Sequence, residues 1–193
     1  MELLLALPVL LPLGGAGVTL LMRHHARIQL WMAILTLVAI FTVALILGWH
    51  VTQEGVLVLQ IGNWTPQLGI VLVADRLTAL MLVVSNFVTL AVLIYSSAQA
   101  VSENSSRTPV AIYHPTYLGL VAGVSMAFLA GDLFNLYVGF EILLVASYVL
   151  ITLGGTVQRI RAGVIYVIVS IVSSIIFLAA IALVYAATGT VNL

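Results

Sequence analysis

The sequence predicts an all-α integral membrane protein of six transmembrane helices, with both termini outside and a small surface hairpin between the second and third. Three observations carry that prediction. Of 193 residues, 63% are hydrophobic and 6% are charged, where soluble domains carry roughly 25% charged residues. The mean hydropathy is +1.27. Apolar runs of about 17–25 residues, enough to cross ~30 Å of hydrocarbon, recur along the whole chain.

The runs are 3–22, 28–48, 76–96, 115–130, 133–153 and 162–187, read as one membrane domain over 1–193. The first is retained and is not a secretory signal, because Glu2 opens it and the basic cluster Arg23-His24-His25-Arg27 follows it. Val56–Ile61 and Ile70–Ala74 flank the turn-rich Gly62–Gly69, the pattern of a hairpin at the membrane surface, with Trp49 and Trp64 as interfacial anchors. The inner loop Ser97–His114 is polar. Pro115 suits the first turn of the fourth span, where its missing N–H is not needed. Gly131-Asp132 is a tight joint, with Asp132 as N-cap of the fifth span and Gly154-Gly155 as its stop. With the N-terminus outside, Arg23, Arg27, Arg107, Arg159 and Arg161 face the cytoplasm and only Arg76 lies outside, which satisfies the positive-inside rule.

Composition also excludes functions. Net charge is zero, against a nucleic-acid partner, and the absence of cysteine excludes thiol and iron–sulfur chemistry. There is no P-loop, dinucleotide fingerprint, nucleophile elbow, or haem or zinc spacing, so neither a cofactor nor a metal is expected. His24-His25 alone makes a poor metal site.

One residue breaks the apolar pattern. Glu141 lies nine positions past Asp132 in the fifth run, about 13 Å deeper along a helix and near the bilayer middle. A carboxylate there costs about 2.5–3.5 kcal/mol on insertion scales, so it faces protein or water and is by default a proton or cation site. On a 100° wheel, Phe134 and Thr152 fall about 20° to one side of Glu141, and Tyr148 and Tyr137 about 20° and 40° to the other. Tyr137, Tyr148 and Thr152 thus form a polar lining able to order water around the carboxylate. The sixth span adds Tyr166, Ser170, Ser173 and Ser174 at helical spacing, and the third adds Thr78, Ser85, Asn86 and Thr89. Close helix packing is the simpler account of these hydroxyls, as it is of Gly119–Gly123. Asp132 and His114 stand at opposite boundaries as candidate surface points where a proton or ion is taken up or given off; capping and plain solvation are their simpler roles.

The stretch Ala127–Leu150, with its Gly-Asp-Leu-Phe-Asn…Phe-Glu block, resembles the D subunit of Mrp-type multisubunit sodium/proton antiporters, and Val71–Leu80 resembles that family's approach to the third helix. The antiporter-like membrane subunits of respiratory complex I belong to the same superfamily. The resemblance implies a secondary transporter subunit rather than an enzyme, in a prokaryotic cell membrane, exchanging H+ against Na+ beside other antiporter subunits. It makes Glu141 the family's buried glutamate, paired in the family with a lysine on the seventh helix. A nearby cation favours the charged carboxylate and desolvation disfavours it, so moving that partner switches protonation. This chain has no lysine and six spans where the family has about fourteen. The expectation is an amino-terminal part completed by another chain that supplies the later helices and the lysine; an incomplete, inactive chain is the alternative. Two other readings remain open: the pumping module of a quinone-linked respiratory or hydrogenase complex, and a non-catalytic assembly subunit.

Overall fold

The computed structural model describes residues 2–61, 70–102 and 110–193. The turn 62–69 with Trp64, and the segment 103–109 with Arg107, lie outside the described residues. The order is α1 (Glu2–Leu21), α2 (Ala26–Glu54), β1 (Leu57–Ile61), β2 (Ile70–Ala74), α3 (Arg76–Ser102), α4 (Val110–Leu129), α5 (Leu133–Thr152) and α6 (Val157–Thr188). All six helices are long and apolar enough to cross a membrane.

Two expectations about boundaries change. α3 continues to Ser102 and α4 begins at Val110, so the polar loop expected over 97–114 is mostly helix. Pro115 consequently sits inside α4 rather than in its first turn, and leaves the Ala111 carbonyl without its i+4 donor. The helix tolerates this because Gln29 Nε2 of α2 donates to that carbonyl at 3.1 Å. α6, at 32 residues, is roughly 48 Å long and exceeds the hydrocarbon thickness.

Helices α1 to α5 pack as a bundle around two apolar clusters. Leu5, Ala44, Leu47, Val51, Leu72, Leu82 and Leu129 form one at the hairpin end. Ala33, Leu37, Ile40, Leu93, Leu118 and Val121 form the other, toward the opposite end. α6 packs chiefly along α5 and keeps most of its apolar surface exposed, from Val157 to Tyr185.

The hairpin is antiparallel, with Leu57 opposite Ala74 and Ile61 opposite Ile70. It is more deeply built in than a surface hairpin, since Val71, Leu72 and Ala74 are buried. β2 continues into the α4–α5 joint, where the Gly131 N–H donates to Val71 O at 2.8 Å. Gly131 is required there, because a Cβ would stand 2.6 Å from a Val73 methyl. The last residues extend the pairing, with Leu193 N–H bonded to Gly131 O at 3.0 Å and Leu133 N–H to Val191 O at 2.9 Å. Leu5 packs into the same end, so both termini share the face that carries the hairpin and Arg76. Arg23, Arg27, Arg159 and Arg161 lie at the helix ends opposite.

At the hairpin face, Asp75 Oδ1 accepts the Thr78 N–H at 2.7 Å and caps α3. That bond, with the Thr78 side chain, holds the Asp75 carboxyl below its ordinary value of 3.8. A depressed pKa stabilises the fold above the ordinary carboxylate range and loses that contribution as pH falls through the lowered value. Asp75→Ala is expected to cost about 0.5–2 kcal/mol, with Asp75→Asn costing less. Thermal unfolding of the assembled protein checks this: the gap between wild type and Asp75→Ala should persist at neutral pH and shrink well below pH 3.8.

Candidate functional site: the α5–α6 cleft

The site begins with how α5 is held. Asp132 Oδ1 accepts the Asn135 N–H at 2.6 Å, the expected N-cap, and Oδ2 accepts the Val71 N–H at 3.2 Å. Asp132 is buried, so the structure places it as a brace between hairpin and helix and not as a surface group. Removing both bonds in Asp132→Ala is expected to cost about 2–3 kcal/mol. Asp132→Asn keeps one acceptor and should fall between, as thermal unfolding would report. At the far end, Gly154 and Gly155 adopt φ of 94° and 60° and stop the helix, and Arg159 donates to Leu153 O.

One face of α5 lies directly on α4. A Cβ at Gly123 would stand 2.7 Å from Leu143 N, and one at Gly139 2.9 Å from Ala127 N, so the two backbones touch through glycine. Gly119 has open space beside it, so half of the Gly119–Gly123 pattern serves this contact, and Gly139 is its unanticipated partner. The signal was present as a glycine in mid-span. With that face against α4, the opposite face, carrying Glu141, turns to α6.

Glu141 there meets Ser174. The Ser174 hydroxyl donates to Glu141 Oε1, and its oxygen lies 3.1 Å from the Tyr137 hydroxyl. Serine has one proton to give. When it goes to the carboxylate, the Tyr137 O–H donates to Ser174 Oγ, and the three groups form a directed chain from Tyr137 through Ser174 to Glu141. With a proton on Oε1 instead, the carboxyl donates to Ser174 Oγ and the Ser174 hydroxyl donates to Tyr137, which is the reverse direction. Phe177 closes the chain on one side, edge-on to Tyr137 at 6.0 Å and to Phe140 at 6.0 Å.

These groups line a cleft of about 450 Å³ that continues past Ser170 to Tyr166. Ser173 also borders it, although its hydroxyl donates back to Val169 O at 2.9 Å. Tyr148 and Thr152 share the Glu141 face, but the cleft does not reach them. Thr152 donates to Tyr148 O at 2.8 Å, and its methyl packs over Gly163 of α6. The wheel placed both at the right angle; the crossing of α6 decided that Thr152 is a packing residue. Thr78, Asn86 and Thr89 bond elsewhere, for example Thr78 to Phe128 O at 3.2 Å. Among the described residues the one contact within 4.0 Å between a basic side chain and a carboxylate is His50 with Glu54, so no basic side chain touches Glu141. His114, expected at a solvated boundary, is buried in α4 and is 5% exposed.

Fold and site together define an α-helical membrane domain with a half-buried carboxylate, bonded to Ser174, at an open interhelical cleft. Residues 130–193 match the family model for the transmembrane region of NADH:quinone oxidoreductase and Mrp antiporters. The sodium/proton antiporter D subunit of Alkalihalophilus pseudofirmus is 38% identical over 98% of this chain and 38% of its own length. The D subunit of Bacillus subtilis is 37% identical over 97% of this chain and 37% of its own length. Among solved structures, the Mrp complex from Dietzia sp. DQ12-45-1b superposes with a TM-score of 0.87 at 34% identity, over 100% of this chain and 36% of that one. An archaeal respiratory membrane complex, the membrane-bound sulfane sulfur reductase, superposes with 0.88 at 25% identity, over 97% and 38%. The chain is similar over nearly its whole length to Mrp-type antiporter D subunits, and it spans less than two fifths of the length of these relatives.

Proposed function

We propose that the chain is a membrane subunit of a multisubunit Na+/proton antiporter, and that Glu141 takes up and releases the transported proton. The observation that carries this is the Tyr137–Ser174–Glu141 contact across α5 and α6, which can pass a proton in either direction by reversing its hydrogen bonds. Ser170 and Tyr166 border the same cleft. In this reading the face bearing Arg23, Arg27, Arg159 and Arg161 is cytoplasmic, both termini are outside, and the membrane is a prokaryotic cell membrane.

The open side of the cleft supports a partner chain. A carboxylate at this depth is stable beside a cation or water and costly against acyl tails. Another subunit that supplies the later helices, and with them a lysine, would close the cleft and set the proton affinity of Glu141. Asp132 serves the path indirectly, by fixing the end of the helix that carries Glu141.

A second reading, the pumping module of a respiratory complex, is favoured by the likeness to the sulfane sulfur reductase complex. Vesicles carrying the assembled complex separate the two. Proton movement driven by a Na+ gradient alone supports antiport, whereas movement that requires an electron donor and acceptor supports the second reading. Unimpaired exchange in Glu141→Ala vesicles, with the complex lost when the chain is deleted, would overturn both in favour of a scaffold.

A further inference from the structure

A second cavity, of about 360 Å³, opens at the hairpin face, where α2 ends and its packed neighbour α3 begins. Val51, Gly55 and Val56 line it from the end of α2, and Asp75 and Arg76 from the start of α3. Its walls are apolar, with one acidic and one basic side chain at the rim. Adjacent residues at a helix start do not face each other. Accordingly, among the described residues no carboxylate lies within 4.0 Å of the Arg76 guanidinium. The turn 62–69 carries no acidic residue either. The cavity therefore presents two opposite charges that do not pair with each other.

Asp75 caps α3 through Oδ1, which leaves Oδ2 with lone pairs for another donor. Its capping bonds also hold the carboxyl below 3.8, so it is negative at neutral pH. Arg76 offers the planar fork of N–H donors that suits a phosphate. One and two turns along α3 from Arg76 stand Leu80 and Val84, which with Leu77 are more than half exposed and lead from the cavity into the membrane-spanning part of the helix. Trp49, two positions before Val51, is also exposed, as indoles at a membrane interface are. A ligand matched to this place has a negative and a positive group on one head and an apolar tail that follows α3. A free zwitterionic solute leaves the stripe uncovered. An anionic lipid brings a phosphate but no cation for Asp75, and a quaternary ammonium has no N–H to give to Oδ2. A phospholipid with a primary amine has every part.

We propose that the cavity between the end of α2 and the start of α3 binds the headgroup of a phosphatidylethanolamine-type lipid, with its phosphate on Arg76, its ammonium on Asp75 and an acyl chain along Leu77, Leu80 and Val84. Recognition is by charge and hydrogen bonding, and no covalent bond is made or broken. The inference requires that α2 and α3 cross the membrane and does not depend on what Glu141 does.

Photolabelling of the assembled complex in phosphatidylcholine vesicles tests it. The probe is a trace of phosphatidylethanolamine with a photoreactive group near the head end of one acyl chain, and labelled peptides are located by mass spectrometry. Label is expected on the stretch 77–84. Unlabelled phosphatidylethanolamine should displace it several-fold more effectively than phosphatidylglycerol with the same chains, and soluble phosphoethanolamine should displace little. Arg76→Gln should lower the labelling several-fold, and Asp75→Asn should let the two lipids compete equally. If Arg76→Gln does not assemble, the competition in the wild type decides. No label on 77–84, label that Arg76→Gln leaves unchanged, or displacement by phosphatidylglycerol as effective as by phosphatidylethanolamine would overturn the proposal. Complete displacement by phosphoethanolamine would overturn it in favour of a soluble zwitterion.

Discussion

Glu141→Gln is expected to abolish proton-coupled exchange while the complex assembles normally. Glutamine has the same shape, and its Oε1 can still accept the Ser174 hydroxyl. The cleft and the packing of α5 on α6 are therefore preserved. What is lost is the ability to bind and release a proton, since an amide does not titrate in the physiological range. Positioned proton-transfer groups contribute on the order of 10²–10⁴-fold to rate, so exchange should drop by at least about 10²-fold. Na+-driven changes in internal pH of vesicles measure the rate, and native electrophoresis measures assembly. Glu141→Asp is a graded companion: it titrates but is one methylene short of Ser174, so partial activity is expected. A Glu141→Gln complex that exchanges at the wild-type rate would end the assignment.

Gly123→Val is expected to disrupt the packing of α4 on α5. Its Cβ would stand 2.7 Å from Leu143 N and 3.0 Å from Gly139 O, both backbone atoms that no rotamer change can move. α4 and α5 must separate, and with them the contact that aims Glu141 at α6. Overpacking of this kind costs about 1–3 kcal/mol where side chains can yield, and more is expected against backbone. The variant chain should be missing from the assembled complex or markedly heat-labile. Gly119 supplies the internal control: nothing lies within 4 Å of its Cβ position, so Gly119→Ala should assemble and melt as the wild type does. Equal tolerance at 119 and 123 would contradict the α4–α5 packing.

The two glycines also mark where sequence reading stops. Gly119 and Gly123 are equivalent as a pattern, one turn apart on the same helix. Only the position of α5 shows that one is indispensable and the other free. Gln29 was silent in the sequence for a related reason: its role arises from two helix irregularities, the end of α1 and Pro115 inside α4, which meet only when the bundle forms.

The amino-acid order by itself determined the membrane-spanning runs, the cap at Asp132, the glycine stop at 154–155, and the face of α5 that carries Glu141 with Tyr137. These are local properties, set by hydropathy over one bilayer thickness, by hydrogen bonding within a turn, and by helical periodicity. Tertiary structure alone decided that Ser174 and not Tyr148 meets the carboxylate, that Thr152 packs on Gly163, and that Asp132 and His114 are buried. Those outcomes depend on where one helix crosses another, and a helical wheel carries angle but no information about the neighbour it will touch.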